Sequence, residues 1–128
     1  MKKVIIIDAS IAAKWLLPDE DDFTANIIKR AFGDRKVEIA VPVFIFYEVN
    51  NLLKSAALSN RISFKDSLDF YENFLNLNFN IYSSKLLLKN TLQTALEFEI
   101  SSYDASYIAL AEYLQIPFYT ADLKLLQK

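Results

Sequence analysis

The sequence predicts an α/β fold built on a short central parallel sheet, and three observations predict it. Val4-Ile5-Ile6-Ile7 is an unbroken run of large aliphatics, three of them Ile. Such a run reads as a strand buried on both faces, the signature of the centre of a parallel sheet. Short apolar or alternating runs recur at 37–41, 79–82 and 117–120, with helical patterns between them. Strands alternating with helices imply right-handed parallel crossovers, so all the strands' carboxyl ends share one edge of the sheet. With 53% hydrophobic and 23% charged residues, a chain of 128 residues suits one folded domain, 1–128, with a sizeable core.

The first strand stops at a carboxylate, Asp8, and Ile11 to Leu17 follow as a helix. In open α/β sheets, ligands bind in the crevice at the strands' carboxyl ends, so an acid placed there asks for a reason. Pro18 to Asp22 is a turn whose acids favour the start of a second helix, running through Phe23, Ile27, Ile28 and Ala31 to Gly33, the only glycine. Val37 to Val41 alternates as a strand. Pro42 is expected to open the next helix, where its missing N–H costs nothing. In that helix Ile45, Val49, Leu52, Leu53 and Ala56 form one apolar face. Glu48 lies within this inward stripe. A carboxylate there is costly unless it meets a cation, a hydrogen bond or a metal; the plainer alternative puts it at the stripe's edge, paired or solvated.

Ser63 reads as the amino-cap of a helix carrying Phe64, Leu68, Tyr71 and Leu75. Phe79 to Tyr82 is a strand, and Ser83 or Ser84 is expected to cap a helix with Leu87, Leu88, Leu92, Ala95 and Leu96 inside. Ser101 and Asp104 have capping-box spacing at the start of the last long helix. Asp104 also shares a face with Ile108 and Ala111, so cap and ligand are both open to it. Pro117 to Thr120 is the last strand, and it too runs into an acid, Asp122, before a final helical turn or two from Leu123 to Lys128. The abundant aromatics read as core or dimer-face residues.

Composition removes whole classes of chemistry. Without Cys there are no disulfides, zinc thiolates or thiol nucleophiles. Without His there are no Ser-His-Asp triads, His-based acid–base pairs or His-ligated zinc. No apolar run reaches the length of a membrane span, and the amino terminus meets Asp8 too soon for a signal peptide, so no membrane and a cytoplasmic location are expected. A net charge of −2 gives no global basic field.

Asp8 and Asp122 share an edge of the sheet. If their strands are neighbours and the helices carrying Glu48 and Asp104 open on that edge, four carboxylates converge. Two unit charges about 4 Å apart repel by roughly 4 kcal/mol at an effective dielectric of about 20. Such a cluster calls for a counter-ion, and oxygen ligands without His or Cys select Mg²⁺ or Mn²⁺. Ions held this way orient phosphates and activate water for phosphodiester cleavage.

Asp8-x-Ser10, Glu48, Tyr103-Asp104-Ala105-x-Tyr107-x-Ala109-Leu110-Ala111 and Thr120-Ala121-Asp122, in this order and spacing, resemble a PIN-domain nuclease. Length and single-domain organisation are similar to the VapC-type toxins of prokaryotic toxin–antitoxin pairs. The resemblance covers nearly the whole chain. It implies a three-layer α/β/α sandwich, Mg²⁺- or Mn²⁺-dependent endoribonuclease activity by in-line attack of a metal-activated water, a homodimer and a cognate VapB-type antitoxin. By position, Asp8, Glu48, Asp104 and Asp122 match the family's acidic residues, and Ser10 and Thr120 its supporting polar residues. PIN domains usually continue past the last acidic motif into a further strand, whereas this chain stops at Lys128, so the expected sheet lacks that edge strand.

Rival enzyme classes fit poorly. Haloacid-dehalogenase-type phosphatases need Asp-x-Asp, and Ser10 holds the third position; receiver domains need a phosphoacceptor Asp after a middle strand, where Val41-Pro42 offers none. A non-catalytic PIN-like module that binds RNA or a partner protein remains the alternative of another class. Lys14, Lys54, Arg61 and Lys65 are candidate RNA contacts, or else solvated charges. Trp15-Leu16-Leu17 reads as core or, by the resemblance, as a docking place for an antitoxin segment.

Overall fold

A computed structural model describes residues 2–18, 20, 22–83 and 85–126. Four parallel strands, β1 (Lys3–Ile7), β2 (Val37–Pro42), β3 (Asn80–Tyr82) and β4 (Phe118–Tyr119), lie in the order β3-β2-β1-β4. Between them run α1 (Ala9–Leu16), α2 (Phe23–Gly33), α3 (Phe44–Leu58), α4 (Phe64–Leu75), α5 (Leu86–Phe98) and α6 (Ser102–Leu114), and α7 (Leu123–Leu126) follows β4. The chain steps outward from β1 through β2 to β3, then returns to the other side of β1. That reversal, with right-handed crossovers, puts helices on both faces of the sheet. Accordingly α1 and α2 pack on β1 and β2, while α6 packs on β1, β2 and β4 and pairs with α5. The sandwich is the expected one. Among the described residues β3 and β4 are the edge strands.

The central strands are fully covered. Ile5, Ile6, Ile7, Ile39, Ala40 and Val41 are all buried. One face is closed by an aromatic cluster in which Phe74, wholly buried, meets Phe46 and Phe79, each with ring centroids 5.5 Å away. The Trp15 indole N–H donates to the Ala25 carbonyl at 2.8 Å, and its ring stacks on Phe32. With Leu17 buried, this segment is built into the core.

Several element-level expectations need correcting. Pro42 ends β2, opposite Tyr82, and α3 begins two residues later at Phe44; β2 lies between β1 and β3, yet at its last position a missing N–H is tolerated. Leu52 is 37% exposed and faces the cleft described below, so the inward stripe of α3 is Ile45, Val49, Leu53 and Ala56. On α4, Phe64, Leu68 and Leu75 are exposed and Phe74 is the inward anchor. On α5 only Leu87 and Ala95 of the predicted face are buried, together with Thr91 and Thr94, while Leu88, Leu92 and Leu96 point outward. Thr91 belongs inside because its hydroxyl donates to the Leu87 carbonyl one turn back, at 2.7 Å. Lys85, without a side-chain bond, occupies the amino-cap of α5; Ser83 does not, and Ser84 lies outside the described residues. Ser63 and Ser101 cap as predicted, each accepting at 3.0 Å from the N–H three residues on.

Phe74→Ala should cost about 3–5 kcal/mol, the usual range for emptying a large aromatic site in a close-packed core. Urea unfolding of the two proteins measures it; a cost under about 1 kcal/mol means that the aromatic cluster does not hold the sheet face.

Candidate active site

The register carries the site. Ile6 pairs with Phe118 and Ile7 with Tyr119, so one step further Asp8 stands beside Thr120. This is also the point where the chain leaves β1 to one side and β4 arrives on the other, the place where open α/β sheets form their crevice. Asp8 is the amino-cap of α1, its Oδ1 accepting from the N–H groups of Ser10 and Ile11 at 3.1 and 3.3 Å. The Ser10 hydroxyl donates to Asp8 Oδ1 and the Thr120 hydroxyl to Oδ2. Ser10 Oγ in turn accepts the Ala121 N–H at 2.8 Å, and Thr120 Oγ1 the Asp122 N–H at 3.0 Å. First and last strands are tied side chain to side chain.

The other acids arrive from separate elements. Glu48 sits in the second turn of α3 and accepts from the Tyr107 hydroxyl of α6 at 2.7 Å. Asp104 lies in the first turn of α6. Asp122 Oδ1 caps α7, accepting from the N–H of Lys124 at 3.0 Å. Asp8, Asp104 and Asp122 all stand at helix amino ends, where unpaired N–H groups and the dipole favour an anion. A cleft of about 500 Å³ is lined by all four carboxylates, with Ser10, Asn51 and Ser55 on its walls. A larger hollow of about 960 Å³ lies toward the amino ends of β1 and β2, against Lys2, Val37 and Glu38, and has none of these groups. Chemistry, not size, distinguishes the two.

Electrostatics in the cleft are unfavourable to bare charge. Burial pushes the Asp8 carboxyl above its ordinary value, against the pull of the Ser10 and Thr120 hydroxyls. Burial likewise raises Glu48; Tyr107 opposes that, and the charges of Asp104 and Asp8 add to it. Asp104 is raised by burial and by Asp122. Among the described residues no Lys or Arg forms an ion pair with any of the four. Four oxygen donors that repel one another and lack a cation are a donor set suited to a hard divalent ion. As the side chains stand, no three of the acids among the described residues close round one point as ligands.

The basic candidates divide. Lys14 and Arg61 line the cleft. Lys54 lies instead in an apolar groove between α3 and α4, and Lys65 pairs with Asp69 at 3.1 Å along α4. Two features escaped the sequence reading. Tyr107 stands in the motif that carries the family resemblance, but nothing in its spacing tells that its hydroxyl reaches Glu48, 59 residues earlier. Glu20 passed as a helix-start acid, yet it holds both Lys14 and Arg61.

The family model described as PIN domain matches residues 5–128. The chain belongs to the PIN-domain family. Among solved structures it is similar to PAE2754 of Pyrobaculum aerophilum, at 26% identity and TM-score 0.73, covering 99% of this chain and 86% of that one. VapC20 of Mycobacterium tuberculosis, a toxin that cleaves the sarcin–ricin loop, shares the fold at 18% identity and TM-score 0.64, covering 96% and 93%. VapBC2 of Rickettsia felis, solved bound to a DNA fragment from its promoter, does so at 13% identity and TM-score 0.70, covering 97% and 91%. No curated protein sequence matches. In this PIN domain, Asp8, Ser10, Glu48, Asp104, Thr120 and Asp122 all stand at one cleft or support a residue that does.

A carboxyl whose folded value is raised binds its proton more tightly in the folded chain than in the unfolded one. Its protonated form therefore carries full stability, which is lost as pH climbs from the ordinary 4.5 of Glu through the raised value. Glu48→Gln keeps an acceptor for Tyr107 and removes the charge, so its Tm should exceed the parent's by a margin that widens from acid to neutral pH. Paired thermal melts check this, and a margin independent of pH refutes it.

Proposed function

We propose that this PIN domain is a metal-dependent endoribonuclease that hydrolyses RNA phosphodiesters, and that it is the toxin of a VapBC-type pair. The observation that carries the reading is the convergence of four carboxylates from the end of β1, α3, α6 and the end of β4 on one open cleft, none of them ion-paired among the described residues. The helix caps that some of them supply do not require all four to share a cleft, where their charges repel.

Asp8, Glu48, Asp104 and Asp122 would hold Mg²⁺ or Mn²⁺, which supplies Lewis acidity at the phosphate and acidity to water. The chain's own residues do the positioning. Ser10 and Thr120 fix both oxygens of Asp8, and Tyr107 fixes one oxygen of Glu48, so neither carboxylate swings when substrate enters. A water among the acids would attack phosphorus in line as the opposite bond from phosphorus to a ribose oxygen breaks; the water's proton would pass to a carboxylate of the cluster and the leaving oxygen would take one up from solvent. No covalent intermediate is needed.

The fold shared with VapC20 and VapBC2 supports a toxin with a VapB-type antitoxin as partner. Outward-facing Leu88, Leu92 and Leu96, one per turn of α5, support a homodimer. No helix among the described residues is long and apolar enough to cross a membrane, and an RNA substrate goes with a cytoplasmic location.

Two experiments test this. Purified protein should cleave RNA with Mn²⁺ or Mg²⁺ and stop in EDTA, and Asp8→Asn and Asp104→Asn should each lose at least about a hundredfold, the scale on which even partners of metal ligands act. Variants as fast as the parent reject the four acids as the catalytic centre, and RNA or partner binding that persists in EDTA without turnover selects the non-catalytic module. For the dimer, Leu92→Glu should halve the mass seen in sedimentation; a parent that sediments as a monomer refutes the pairing.

A further inference from the structure

Along the cleft from the acids, the wall of α3 is polar at helical spacing. Asn51, Ser55 and Ser59 follow Glu48 at intervals of three and four residues, so they extend one line away from it. At the same end Lys14 of α1 and Arg61, just past α3, reach in from opposite walls. Each grips a different oxygen of one carboxylate: Lys14 Nζ lies 3.2 Å from Glu20 Oε1, and Arg61 donates to Oε2 at 2.9 Å. Glu20 comes from the turn between α1 and α2 and is itself only partly buried.

We propose that Lys14 and Arg61 form a phosphate subsite for the RNA strand beside the scissile bond, and that Glu20 occupies it until RNA displaces it. The proposal rests on the nuclease reading and deepens it. A Lys and an Arg converging on the two oxygens of one anion are the arrangement that holds a phosphate, Arg through its planar fork and Lys as a point charge. The bound carboxylate carries one negative charge, as each backbone phosphodiester does, but it comes alone, and partly exposed ion pairs of this kind are weak. A backbone phosphate, accompanied by its neighbours along the wall of α3, therefore wins the exchange, and Glu20 turns out to solvent on its loop. The cleft thus needs no standing basic field. Its two cations are masked at rest, which fits a chain with a net charge of −2.

The test measures binding of a short fluorescein-labelled single-stranded RNA in Mg²⁺, in an Asp8→Asn background that does not cleave. Glu20→Gln should tighten binding by at least about twofold, the low end for the two weak exposed pairs it removes. It should also steepen the fall of log K with log salt by about 0.7, one further screened phosphate contact on a single strand. Lys14→Ala and Arg61→Ala should each weaken binding and flatten that slope by a similar amount. Asp69→Asn removes an equal charge from the pair on α4 and controls for net charge; Glu20→Gln must exceed it. Unchanged or weaker binding by Glu20→Gln overturns the proposal, the second result making Glu20 a brace for the cations. If instead Asp8→Asn with native Glu20 cleaves as fast as the parent, the four acids are not the catalytic centre and the reading beneath this proposal fails, whatever Glu20 does.

Discussion

The structure turns on one desolvated carboxylate. Asp8 is 4% exposed at the buried carboxyl end of a central strand, where an unpaired charge would be untenable. Two hydroxyls and two N–H groups make it tolerable, and their origins dictate much of the architecture. The N–H groups require a helix to start immediately after β1. The Thr120 hydroxyl requires β4 to lie against β1, which fixes the reversal of strand order. β4 is only two residues long, and its ladder is correspondingly slight. Its docking relies on the hydroxyl–carboxylate knot and on the Ile6 N–H donating to the Pro117 carbonyl at 2.9 Å. Sheet edge and cleft are one construction.

That dependence explains what could be read from residues alone. Strand ends and the acids after them are local signals, and parallel topology carries them to one edge without further information. The amino-caps at Ser63 and Ser101 are equally local. Asp104 shows that cap and cleft residue are compatible, for it serves the helix end and lines the cleft at once. Asp8 shows it more strongly, because its own capping role was not anticipated.

What stayed hidden was whatever depends on which neighbour a face meets. Leu88, Leu92 and Leu96 have the period of a buried face, and period does not tell core from an outward stripe. Leu52 has the right spacing for the core and lies beside the cleft. Pro42 fits a helix start and a strand end equally well. The Tyr107–Glu48 and Glu20–Lys14–Arg61 contacts join residues 59 and up to 41 positions apart, and no spacing rule reaches across such gaps. Each was decided by tertiary placement.

The knot has a consequence for biosynthesis. Asp8 leaves the ribosome 112 positions ahead of Thr120, its partner. Until then α1 can form, yet the edge strand, Asp122 and the hydroxyl that steadies Asp8 are missing. The cleft therefore cannot be assembled before β4 has been made. A chain that stops short of β4 carries three of the four acids but not the fourth, nor the hydroxyl that steadies Asp8. Order of synthesis thereby makes the cleft one of the later parts of this domain to form.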